Sequence, residues 1–114
     1  MNVTRFKDAP PYFPAEHFDM RCLRLQGHEA GPATQTWMGM SQILPGGHIA
    51  PSASPIEKLY FVVEGEVTFE TPEGTAVLQA YDSCRIAPGE SRAIRNNTNR
   101  PAMVLLAMPL EPPK

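Results

Sequence analysis

The residues best suited to chemistry lie between Pro45 and Gly65, in the stretch PGGHIAPSASPIEKLYFVVEG. Pro45-Gly46-Gly47 predicts a turn, and Lys58 to Glu64 is a strand-forming run closed by Gly65. A strand that leaves a tight turn with polar groups on one side can line a cavity. Ser52, Ser54, Lys58 and Tyr60 are the polar side chains offered there, and alternation places Lys58 and Tyr60 on one face. Farther on, Arg85, Arg92, Arg95 and Arg100 form a basic cluster. It is interleaved with Glu90, follows Asp82 and lacks stacking aromatics, in a chain with 12 acidic and 10 basic residues. No nucleic-acid partner is expected from that pattern. Metal chemistry has no local signature either. Cys22 and Cys84 are far apart, no CxxC occurs, and His17, His28 and His48 form no cluster of zinc spacing. His48, just after the glycine pair, reads as an exposed turn histidine.

The elements that must position these residues are short. At 114 residues and 42% hydrophobic, the chain is one domain with one modest core. Thirteen prolines and eight glycines leave few windows for a helix and favour strands joined by turns. No run of 18 apolar residues occurs, so no membrane partner is expected. The N-terminus, MNVTRFKDAPPYFP, lacks the apolar stretch of a secretory signal, which predicts a cytoplasmic protein with both cysteines as free thiols.

In chain order, residues 1–18 read as an irregular arm, because Pro10, Pro11 and Pro14 oppose regular pairing. Phe18 to Leu25 alternates, with Phe18, Met20 and Cys22 on one side. The phase slips near Cys22, which predicts a bulge or burial of both faces there. Gln26 to Ala33 is a loop. Thr34 to Leu44 is a strand with two largely apolar faces, ended by the Pro45-Gly46-Gly47 turn. Leu59–Val63 and Val67–Phe69 read as a hairpin turning at Glu64-Gly65-Glu66. Further strands are expected over 75–78, 82–87, 91–96 and 102–108. About eight short strands with turns between them imply a β-sandwich or barrel, whose interior can hold a ligand.

At this point the chain resembles the cupin family. The first cupin motif is a glycine turn, His-x-His, a Glu a few residues on, and a closing Gly. The second is a Pro- and Gly-containing turn, a His, and an Asn four residues later. Pro45-Gly46 and Gly65 frame the first, and Pro88-Gly89-Glu90-Ser91-Arg92-Ala93-Ile94-Arg95-Asn96 has the shape of the second. The resemblance covers residues 36–108. It implies an all-β fold, an antiparallel β-sandwich closed as a jelly-roll barrel (a double-stranded β-helix). It also implies one domain over 1–114, with an arm over 1–18 and a loose tail over 109–114. Small cupins commonly pair through their sheets, so a homodimer is implied as well.

The departures from the motifs bear on chemistry. Counted back from Gly65, the family's Glu position falls on Lys58 and its two His positions on Ser52 and Ser54. The second-motif His position falls on Arg92. Serine hydroxyls bind divalent metals poorly, and two cations repel them, so no metal or other cofactor is expected at the usual site. In the cupin register these four side chains converge inside the barrel. Two hydroxyls and two cations suit an anion, most simply a small carboxylate metabolite anchored by Arg92. Burial and Arg92 would both lower the Lys58 pKa, making Lys58 a catalytic base or an imine-forming nucleophile. Ser52, Ser54, Tyr60, Arg92 and Gln42 are then the substrate-binding candidates, with Trp37, Met38 and Met40 secondary.

The implied activity is metal-free isomerisation, decarboxylation or elimination. Two alternatives stay open: a non-catalytic metabolite-sensing or accessory module, and a metal-dependent dioxygenase or isomerase with unusual ligands. Lys58 and Arg92 could also simply pair with Glu57, Glu90 or Asp82, and Ser52 and Ser54 could bond their own backbone. A one-residue slip would exchange Lys58 for Glu57 in the cavity, and the apolar set Leu59, Phe61 and Val63 does not decide between them.

Overall fold

The computed structural model describes residues 1–110. The tail expected over 109–114 lies mostly outside the described residues. Pro109 ends a strand, and the Leu110 amide donates to the Gln35 carbonyl at 2.8 Å.

The strands are β1 (Pro11–Tyr12), β2 (His17–Gln26), β3 (Thr36–Ser52), β4 (Lys58–Glu64), β5 (Glu66–Thr71), β6 (Gly74–Gln79), β7 (Ser83–Ile86), β8 (Arg92–Arg95) and β9 (Ala102–Pro109). Single 3₁₀ turns cover Phe6–Asp8 and His28–Ala30. All pairings are antiparallel, in the order β6-β5-β8-β3-β9-β4-β7, with β2 beside β3 and β1 beside β2. The result is the expected all-β, nearly closed barrel. No helix among the described residues is long and apolar enough to cross a membrane.

The barrel depends on two corners that read as reversals in the sequence. Pro45-Gly46-Gly47 does not turn the chain back. It lies inside β3, whose Thr36–Ile43 part pairs with β9 and whose His48–Ser52 part pairs with β8. Gly46 takes a φ of +81°, a conformation open to glycine, and so bends the strand from one layer to the other. Asn96 clasps the bend: its carbonyl accepts from the Gly46 amide at 2.9 Å, and its own amide donates to the Gly47 carbonyl at 3.0 Å. The second corner is Gly65, with φ +82°. β4 and β5 flank it but are not paired, because β4 pairs with β9 and β7 while β5 pairs with β6 and β8. The expected hairpin there is therefore a sheet-to-sheet crossing. The Thr71–Gly74 turn does close a hairpin, β5 with β6.

The arm is also more regular than its prolines predict. Pro11 and Tyr12 pair with Leu23 and Cys22. Proline is tolerated there because β1 is an edge strand. Cys22 and Leu23 are both buried, so the slip in alternation marks burial of both faces, with the irregularities on either side, at Phe18/Met20 and Arg24/Gln26.

The core, including Ile43, Val62, Val67, Phe69, Ile94 and Val104, fills the barrel between the two layers. One end of the interior is polar instead, and the candidate site lies there.

Candidate functional site

Strand β4 carries the first cation into the barrel. Lys58, Tyr60 and Val62 point inward, whereas Leu59 and Phe61 point out, 48% and 36% exposed. Glu57, just before the strand, turns outward and pairs with Arg85. Lys58 rather than Glu57 therefore enters the interior, and the apolar set Leu59/Phe61 is the outer face.

Strand β8 carries the second cation. Arg92 stands opposite Ser52 in the β3–β8 register. Its Nη1 donates to Ser52 Oγ at 2.9 Å and its Nε to Tyr60 Oη at 3.1 Å. These bonds hold the guanidinium in one orientation. Arg92 is 5% exposed and Lys58 9%. Among the described residues neither forms an ion pair with a carboxylate. The nearby acids are engaged elsewhere: Glu90 accepts from the Ala87 amide and Asp82 from the Gln79 amide, each at 2.9 Å. Burial, and then the charge of Arg92, lower the Lys58 pKa from 10.5 to about 8. Burial raises the Tyr60 phenol, against the opposing pull of Arg92.

Both cations line a cavity of about 270 Å³. Ser54 is on its rim, but Ser54 Oγ accepts from the Ile56 amide at 3.0 Å, so this hydroxyl shapes the turn before β4. The opposite wall is apolar and aromatic, with Tyr12, Trp37 and Leu106. Tyr12 meets Trp37 edge-on at 5.7 Å, and the Arg24 guanidinium lies 3.8 Å from the Tyr12 ring centre. That packing fixes the wall. Burial raises the Tyr12 phenol. Gln42 is not part of this site. It shares the outer face of β3 with Met38, Met40 and Leu44, opposite the buried Ile43.

Two cavity residues escape the sequence motifs. Tyr12 arrives on the arm through β1. His17 arrives at the start of β2, where Glu16 and Asp19 take left-handed φ values of 57° and 52°. The bulge between Phe18 and Met20 breaks the expected alternation. Phe18 swings out to stack on His48 at 4.8 Å, and His17 lines the cavity. Only the positive-φ bulge separates this arrangement from the plain alternation of FDMRC, and no residue type there announces it.

The metal site usual in this fold would use the positions of Ser52, Ser54, Lys58 and Arg92. Two weak hydroxyl donors and two cations do not fit a divalent ion. Among the described residues no three His, Cys, Asp or Glu side chains gather to hold one. Cys22 and Cys84 are free thiols, and burial pushes the Cys84 pKa up to about 11.

The sequence pattern of the cupin domain matches residues 39–108. The chain belongs to the cupin family. A Mycobacterium tuberculosis protein named beta-D-galactosidase is 37% identical to this cupin over 108 residues, covering 95% of this chain and 93% of that relative. Among solved structures, the polyketide cyclase RemF from Streptomyces resistomycificus superposes with a TM-score of 0.86 at 18% identity, over 100% of this cupin and 82% of that chain. A Thermotoga maritima protein described as a predicted oxalate decarboxylase gives 0.77 at 21% identity, over 97% and 100%. At those identities the two structures share the fold.

Proposed function

We propose that this cupin binds a small anionic carboxylate between Arg92 and Lys58 and converts it without a metal ion, by proton transfer leading to isomerisation, decarboxylation or elimination. One observation carries the reading: two buried cations face one cavity, and among the described residues no carboxylate pairs with either. A buried charge without a partner is costly, and a bound carboxylate supplies the missing partner for both. Arg92 keeps the free edge of its guanidinium for the acid, while Lys58, with a pKa of about 8, is mostly an ammonium at pH 7 and donates a proton.

A thermal-shift series tests this. Pyruvate, malonate and D-galacturonate are compared with their uncharged methyl esters or amides, using protein stripped with a chelator. The acids raise the melting temperature and the neutral partners do not. Equal shifts from both forms would sink the proposal. Binding without turnover would mark a metabolite-sensing module.

The M. tuberculosis relative favours a second reading, hydrolysis of a galactoside. Among the described residues the cavity wall carries no carboxylate, whereas glycoside hydrolysis ordinarily uses a pair of them. Release of nitrophenol from nitrophenyl β-D-galactoside, lost in Lys58→Met, would put that reading first.

The same proposal extends to assembly and location. The outer face of β3, β9 and β4 exposes Met38, Leu59 and Phe61 together with Leu105, and a second copy of the chain would cover it. Free thiols suit a cytoplasmic location.

A further inference from the structure

His17 has no part in the motifs, yet it is the remaining titratable group with a free nitrogen on the cavity wall. Its Nδ1 lies 2.7 Å from the Ala15 carbonyl oxygen. A carbonyl only accepts, so Nδ1 carries the hydrogen. In the neutral ring that leaves Nε2 as a bare lone pair. The neutral ring is favoured because burial lowers the His17 pKa below its usual 6.5; the hydrogen bond to Ala15 opposes this, and the positive charges of Arg92 and Lys58 add to the lowering. The backbone holds this orientation. Glu16 and Asp19, on either side of the His17-Phe18 pair, take left-handed conformations that are unfavourable for side-chain-bearing residues, and the Glu16 carbonyl is tied to the Ala50 amide at 3.0 Å. Ala50 belongs to β3, the strand that carries Ser52 to Arg92.

Among the described residues the titratable or charged groups lining this cavity are His17, Lys58, Arg92 and the phenol of Tyr12, with the Tyr60 phenol bonded to Arg92; Arg21 and Cys22 share the adjoining pocket with His17. Burial raises both phenols, so they stay protonated through neutral pH. Arg92 stays charged. His17 and Lys58 have opposite roles: a neutral imidazole that accepts a proton and an ammonium, with a pKa of about 8, that donates one.

We infer that His17 is the general base of this cavity, acting with Lys58 as general acid on a 2-oxo carboxylate held by Arg92. The inference rests on the carboxylate reading above. His17 Nε2 takes the proton from the carbon next to the carbonyl. The electron pair of that C–H bond becomes the carbon–carbon double bond of an enol. The carbonyl oxygen takes a proton from the Lys58 ammonium, leaving a neutral amine and an imidazolium. Reversal from the imidazolium returns a proton to the same carbon. Where that carbon itself bears a hydroxyl the intermediate is an enediol, and the imidazolium can instead protonate the former carbonyl carbon while the other hydroxyl gives its proton to the neutral Lys58 amine and becomes the new carbonyl. No oxidant or cofactor enters the balance.

The test uses pyruvate in deuterium oxide, following deuterium uptake at its methyl group by NMR. Pyruvate affinity is measured separately by calorimetry. The wild type is expected to accelerate uptake within a pH window bounded below by His17 and above by Lys58 near pH 8. His17→Asn keeps a donor for the Ala15 carbonyl and removes the base. It is expected to slow uptake by about a hundredfold or more with pyruvate affinity within threefold. His48→Asn, on the outer surface against Phe18, is expected to leave uptake unchanged.

If pyruvate binds with an Arg92-dependent affinity but His17→Asn leaves uptake unchanged, or the wild type shows none, the assignment of His17 fails and the carboxylate reading stands. If pyruvate does not bind, or binds equally to Arg92→Ala, the carboxylate reading itself fails and the His17 assignment falls with it. Nitrogen NMR of wild-type His17 gives an independent readout. A neutral ring protonated on Nδ1, whose pKa rises when pyruvate binds, is expected. A ring protonated on Nε2 in the free protein would overturn the inference.

Discussion

Replacing Lys58 with methionine should make the ligand-free protein more stable at neutral pH while removing turnover. Lys58 is 9% exposed and has no hydrogen bond or ion pair among the described residues. Its pKa falls from 10.5 to about 8 on folding, which corresponds to about 3 kcal/mol against the charged form. Below pH 8 the lysine is protonated in both the folded and unfolded states, so that penalty is present in full. Between about 8 and 10.5 the unfolded chain holds a proton that the folded protein has released. Wild-type stability therefore gains from this group as pH rises through that window, and the penalty is gone above it. Methionine keeps the apolar stem and removes the charge. At pH 7 Lys58→Met should gain about 2–3 kcal/mol, or about 10 °C in melting temperature for a domain of this size. Urea melts of the two proteins at pH 7 and pH 10.5 read the difference directly. The advantage should shrink to near zero at the higher pH. A variant less stable than wild type at pH 7, or one whose advantage is independent of pH, would show that Lys58 is not an unpaired buried cation.

Three other outcomes follow from the fold and its surface. Asn96 is fully buried: its Nδ2 donates to the carbonyls of Ile43 and Arg100 at 3.0 and 2.7 Å, and its Oδ1 accepts from the Thr98 amide and hydroxyl at 3.0 and 2.7 Å. Asn96→Ala leaves buried partners unsatisfied and should lower stability by about 3 kcal/mol in urea melts, whereas Asn97→Ala, on an exposed residue, should stay within about 0.5 kcal/mol. Gly65→Ala should be more harmful than Gly46→Ala. Both have positive φ, but a Cβ at Gly65 would sit 2.9 Å from the Pro101 carbonyl, and one at Gly46 meets nothing within 4 Å. Equal melting temperatures would refute the packed-corner description. If two copies pair through the outer sheet face as proposed, the wild type should have a dimer's mass by light scattering and Phe61→Lys, on that face, a monomer's; a monomeric wild type, or an unchanged dimer mass in the variant, would refute pairing through this face.

The barrel was legible because its strands are short, alternate, and are separated by Pro and Gly. Its corners were not. A glycine between two apolar alternating runs reads the same at Gly65, where the chain crosses between layers, as in a true hairpin. Only the long-range partners, β9 and β7 on one side and β6 and β8 on the other, distinguish the two. Spacing within the motifs was enough to pair Ser52 with Arg92 and to bring Lys58 to the same cavity. Parity of the apolar residues on β4 was uninformative, since the outer face exposes Leu59 and Phe61 and the inner face buries Tyr60 and Val62. Gln42 falls on the outer face of β3; both faces of that strand are largely apolar, so the pattern alone does not choose between them. His17 and Tyr12 come from the arm and from a positive-φ bulge, so their place depends on backbone geometry that residue type does not announce.

The most direct measurement is calorimetric titration of pyruvate into chelator-treated wild-type protein and into Arg92→Ala. Stoichiometric binding to the metal-stripped wild type is expected, with affinity at least tenfold weaker in the variant, as the loss of a charged hydrogen bond of about 1.5–3 kcal/mol requires. Equal affinities, or binding that appears only after a divalent metal is restored, would contradict a metal-free carboxylate site built on Arg92 and Lys58.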